Sequence, residues 1–122
     1  MHKLLAALSS IIKPLPEEIG VILVSDKKIK SLNKQFLQKN SVTDVMSFSI
    51  SKNYGEIIIS AVTAEKNAKI YLNSTEEEIL YLVIHGFLHL KGYKDYIKKD
   101  YLNMKQKQDA IFKKVGEFSK FA

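Results

Sequence analysis

Apolar positions recur along the chain with changing period, and the periods predict its elements. Leu4, Leu5, Leu8, Ile11 and Ile12 follow a helical stripe, which predicts an amphipathic helix ended by Pro14-Leu15-Pro16. A secretory signal would show a similar charge and then an unbroken apolar run; here Ser9-Ser10 and Lys13 interrupt it. Ile19 to Val24 is continuously apolar apart from Gly20 and predicts a buried strand. Ser25 or Asp26 then caps a helix carrying Ile29, Leu32 and Phe36 on one side.

Val45 to Ile50 alternates weakly and is rich in strand formers. A turn over residues 51–55 and a short strand Glu56 to Ile59 complete a predicted hairpin. Ser60 caps a further helix running to about Leu72. Ser74 with Glu77, and Thr75 with Glu78, both have capping-box spacing at the start of the next one. That helix is apolar nearly all the way round through Leu90, which predicts a central buried helix, and Gly92 supplies its left-handed stop. A last helix places Ile97, Tyr101, Met104, Ile111, Val115 and Phe118 on one stripe. The order is helix, strand, helix, strand, strand, helix, helix, helix. It predicts a mixed α/β (α+β) fold, one domain over residues 1–122, with a small sheet covered by helices.

Composition narrows the chemistry. With 46% hydrophobic and 26% charged residues, the chain has ordinary globular usage and no signature of global disorder. It has no cysteine, which removes zinc fingers and cysteine hydrolases and fits a reducing compartment. No stretch approaches the roughly 18 apolar residues that a membrane span needs. The net charge is +6, and every one of the 19 basic residues is lysine. That balance suits either solubility or a polyanionic partner. Lysine meets phosphate as a point charge and lacks the bidentate fork of arginine.

His85 and His89 are four apart, so on a helix they share one face with Cβ atoms roughly 5–6 Å apart. Two imidazoles at that spacing can reach one metal ion; alternatively they are core or rim histidines bonded to backbone. Gly92 lets the chain turn back, and Asp95 follows. Asp95 is either a third ligand or the N-cap of the last helix. As a ligand it completes a set of two histidines and one carboxylate with a position open for water. A HExxH protease keeps its glutamate base directly after the first histidine, where this chain has Gly86. A peptidase is therefore disfavoured.

The run His85-Gly86-Phe87-Leu88-His89-Leu90-Lys91-Gly92-Tyr93 resembles the signature of the YbeY family. Thr43-Asp44-Val45-Met46-Ser47-Phe48 resembles that family's second block and Gly55-Glu56-Ile57-Ile58-Ile59-Ser60 its third. Val24-Ser25-Asp26 and Leu32-Asn33 fit its opening strand and helix, so the resemblance spans about Ile19 to Met104. It implies a single-strand-specific, metal-dependent endoribonuclease acting in 16S rRNA 3′-end maturation and ribosome quality control. It implies one divalent ion, Zn2+, held at His85, His89 and Asp95. Its implied partners are ribosomal RNA and the small ribosomal subunit or assembly factors. The implied location is the cytoplasm, with no membrane and no dinucleotide cofactor.

The chain departs from the family at two places. The third ligand of the family is a histidine, and here that position is Asp95. Carboxylate remains an acceptable ligand, and it widens the range of divalent metals. The family's catalytic arginine falls at Leu37, which leaves Lys39 as the basic position that matches and as a candidate phosphate contact. This second departure motivates an alternative: a ribosome-associated binding factor with weak or no catalysis. The lysines of the last helix, Lys98, Lys99, Lys105, Lys107, Lys113 and Lys114, form either a solvated face or an RNA-backbone surface.

Overall fold

The computed structural model describes residues 18–119, with side chains to residue 116. The amphipathic helix expected around Leu4 to Ile12 lies outside the described residues, as does the side chain of Phe118. Described are β1 (Glu18–Val24), α1 (Asp26–Leu37), β2 (Val45–Ser51), β3 (Tyr54–Ser60), α2 (Ala61–Tyr71), α3 (Thr75–Leu90) and α4 (Lys98–Ser119). The fold is mixed α/β, as the periodicities predict.

The sheet order is β1-β3-β2, with β1 parallel and β2 antiparallel to β3. β3 is central because Ile57, Ile58 and Ile59 bury both of its faces. Ile57 and Ile59 point to a core shared with Leu80, Ile84, Phe87 and Met104, while Ile58 joins Ile29 and Met46 on the other side. Helices thus cover both faces. β1 is a correction to the expected buried strand: among the described residues it is an edge, and Ile22 and Leu23 are exposed. Of the three described strands only one can have two neighbours, and β3 takes that place. The hairpin turn is also tighter than expected, since Tyr54 already pairs with Ser51 across Lys52-Asn53.

Caps decide the helix starts. Ser25 accepts from the Lys28 amide, Ser60 from Thr63 and Ser74 from Glu77. Only the Ser74–Glu77 pair forms the capping box, which frees Glu78 to point inward. The three amides would otherwise be orphans at the first turns. α3 is the buried central helix, with eight buried residues between Glu78 and Leu88. It ends in a Schellman turn: the Tyr93 amide donates to Leu88 O and the Gly92 amide to His89 O, with Gly92 at φ +99°. On α4 the buried stripe is Met104, Gln108, Ile111 and Val115; Ile97 and Tyr101, expected on it, are exposed. Ile97 precedes the helix, and Tyr101, in its first turn, lines the open cleft instead of the core.

Candidate metal centre

α3 presents His85 and His89 on one face, and the turn at Gly92 returns the chain so that Asp95 meets them. His85 Nε2 and His89 Nε2 are 3.1 Å apart. Asp95 Oδ2 is 3.8 Å from the first and 3.4 Å from the second. Asp95 lies three residues before α4 begins, with its carboxylate on the histidines; it does not cap the helix. All three side chains are half-buried, so the cluster stays open to solvent on one side.

The Nδ1 atoms face away from this point. His89 Nδ1 lies 2.9 Å from Tyr93 O, and His85 Nδ1 lies 3.1 Å from Gln108 Oε1. A backbone carbonyl only accepts, so His89 carries its hydrogen on Nδ1 and turns a lone pair of Nε2 inward. Two ring nitrogens and a carboxylate oxygen facing one point could hold a metal ion between them. Two imidazoles at about 2.0–2.1 Å from a tetrahedral ion stand roughly 3.3 Å apart, close to the separation found. One donor atom from each of the three residues falls within 4.8 Å of the others. The donor set fits a divalent metal ion, with room for a further ligand.

A cleft of about 500 Å³ adjoins the cluster. His85 and Asp95 line it, as do Tyr81, Lys105 and Asp109 from the α3–α4 seam and Asp44 and Glu78 further along. Glu78 is only 2% exposed. Burial, with the Asp44 carboxylate nearby, pushes its carboxyl up to about 7, against a hydrogen bond from Asn73 that lowers it. Tyr81 Oη donates to Asp109 Oδ1 at 2.6 Å, and burial and that carboxylate hold the phenol protonated well above its ordinary value. Lys105 Nζ sits 3.1 Å from Asp109 Oδ2, so the lysine in the cleft is already paired.

The predicted trio of His85, His89 and Asp95 is therefore brought together. Lys39 is not: it is exposed just beyond α1 and does not line the cleft. Sequence reasoning missed Gln108 and the inward turn of Glu78. For Gln108 a signal existed, since a glutamine interrupts an apolar stripe between Met104 and Ile111.

Residues 1–116 match the family described as Endoribonuclease YbeY. A protein of that name from Endomicrobium trichonymphae is 42% identical over 98 residues, covering 79% of this chain and 70% of its own length. Another, from Aster yellows witches'-broom phytoplasma, is 37% identical over 114 residues, covering 84% of this chain and 78% of its own. A solution structure from Thermotoga maritima superposes with TM-score 0.64 at 37% identity, over 96% of this chain and 79% of that one. With the family pattern running through both the histidine helix and the central strand, the chain belongs to the YbeY endoribonuclease family.

Proposed function

We propose that the chain is a metal-dependent endoribonuclease that cleaves single-stranded RNA, a single domain across residues 1–122. His85, His89 and Asp95 hold one divalent ion, and Zn2+ suits the donors best. The observation that carries this reading is the meeting of His85 Nε2, His89 Nε2 and Asp95 Oδ2 beside an open cleft. Relatives named endoribonuclease supply the substrate class. The finer assignment follows the family resemblance: 16S rRNA 3′-end maturation and ribosome quality control, in the cytoplasm, with the small ribosomal subunit or its assembly factors.

A divalent ion held by His85, His89 and Asp95 would supply Lewis acidity and activate water at neutral pH. The chain's own residues do the rest. The two imidazoles and Asp95 would hold that ion at the mouth of the cleft. Glu78, poised near neutrality, can take up or release a proton within the same cleft. Lys105 brings a positive charge that Asp109 partly balances. Lys39, outside the cleft, is a candidate contact for a neighbouring phosphate.

The test is cleavage of labelled single-stranded RNA by zinc-loaded protein. Internal cuts should fall at least about 100-fold on chelation or on Asp95→Ala, as several kcal/mol of charge stabilisation are lost. Loaded protein that leaves every RNA intact contradicts the proposal. One observation favours a second reading, a ribosome-binding factor without catalysis: Leu37 stands where the family has its arginine, and the chain contains no arginine at all. Co-sedimentation with the small subunit that survives His85→Ala, together with absent cleavage, selects that reading.

A further inference from the structure

Gln108 is 4% exposed in the middle of α4's apolar stripe, between Met104 and Ile111. A buried amide there costs free energy unless its carbonyl and its NH2 both find partners. They do, and the two bonds run in one direction. Gln108 Nε2 donates to the backbone carbonyl of Tyr81, 3.1 Å away, on the turn of α3 before His85. That carbonyl can only accept, so the NH2 group must face it, and Oε1 is left 3.1 Å from His85 Nδ1. Oε1 likewise only accepts, so the ring must carry its hydrogen on Nδ1. In the neutral ring the other nitrogen, Nε2, is then bare and faces His89 and Asp95.

We infer that Gln108 is a positioning residue that fixes the tautomer and the ring orientation of His85 for metal binding. The flipped amide would set two carbonyl oxygens against each other and favour a hydrogen on Nε2, inside the ligand cluster. The two histidines are thereby held by different means. His89 is oriented by the backbone carbonyl of Tyr93, which no substitution deletes. His85 depends on a side chain 23 residues away in sequence, delivered only when α4 docks on α3. Partners of this kind are commonly worth 10–100-fold in metal affinity.

The inference rests on the three-ligand reading of the centre, and the test separates the two. Zinc affinity is measured by chelator competition for wild type, Gln108→Met and Gln108→Glu. Long-range 1H–15N spectra of the metal-free proteins, at pH about 8, above the ordinary histidine range, report which ring nitrogen carries hydrogen. Wild type should show both histidines protonated at Nδ1. Gln108→Met should release His85 to the other tautomer, leave His89 unchanged and weaken zinc about 10–100-fold. Gln108→Glu keeps an acceptor at the ring and gives up the bond to Tyr81. It should retain the His85 tautomer and hold zinc within about threefold of wild type, whatever its stability, as expected if the acceptor at Nδ1 is what matters.

A wild-type His85 with hydrogen on Nε2 overturns the inference. So does a Gln108→Met protein with unchanged tautomer and zinc affinity, or equal zinc loss in both variants. Wild-type protein that takes up no zinc overturns the three-ligand reading instead, while the metal-free spectra still decide whether Gln108 sets the tautomer.

Discussion

Glu78 lies seven residues before His85, two helical turns or about 10 Å along α3. In the sequence it reads as one of three glutamates at the positive end of a helix. In the structure Glu77 takes the capping role and Glu78 turns into the cleft beside Asp44. Its folded carboxyl titrates at about 7 against 4.5 for an ordinary one, so the native state holds the proton more tightly than the unfolded chain. Stability therefore falls as pH rises from about 4.5 to about 7, and the cost stays in full above that. Allowing for partial solvation, the effect is about 1–2 kcal/mol. Urea unfolding at pH about 5 and about 8 should show Glu78→Gln gaining that much on wild type only at the higher pH. An equal difference at both values contradicts the assignment. His85, His89 and Asp95 were legible because their spacing is local and their chemistry distinctive. Glu78 and Gln108 were not, because which way a glutamate turns and what a glutamine reaches depend on how helices dock.

Between elements, the site depends on how closely α3 lies on β3 and how sharply it ends. A Cβ at Gly86 would stand 2.8 Å from Ile57 Cγ2, so position 86 faces the sheet and not the metal centre. This gives the absence of a protease glutamate a packing reason: any side chain there would have to displace Ile57. Gly86→Ala should cost about 1–3 kcal/mol of stability by overpacking. Gly92 has open space around it but φ of +99°, so Gly92→Ala is strained by conformation alone, at about 1 kcal/mol. Since that turn also places Tyr93 O and Asp95, Gly92→Ala should weaken zinc as well. A Gly92→Ala protein that binds zinc as wild type does would show that the turn is not what delivers Asp95. The helix boundaries around the site were legible from Ser60, Ser74 and Gly92, which act locally. The edge position of β1 was not, because an apolar run of strand formers looks the same at the edge or the centre until the pairing is known.

Over the whole molecule, charge is divided between surface and cleft. The chain is +6, with lysines along α4 exposed to solvent. The cleft is lined by Asp44, Glu78, Asp95 and Asp109 against Lys105, which is already paired with Asp109. Without a metal ion that interior repels phosphate, so under the proposed function the outer lysines gather RNA and a cation draws it inward. Two outcomes follow for fluorescence anisotropy on a labelled single-stranded oligonucleotide. Binding should weaken with salt, with a log–log slope of about −2 for about three phosphate contacts. At fixed salt, zinc-loaded protein should bind more tightly than metal-free protein. Salt-independent binding, or binding indifferent to zinc, contradicts this division of charge. The net charge was legible from composition; its separation into a basic surface and an acidic cleft belongs to the fold.

The most direct measurement of the central claim is zinc K-edge X-ray absorption on the reconstituted protein. The account predicts two imidazole nitrogens at about 2.0–2.1 Å and a carboxylate oxygen at about 2.0–2.2 Å, with one further light ligand completing the shell. Zinc that is not retained, or that shows an oxygen shell without imidazole scattering, contradicts it.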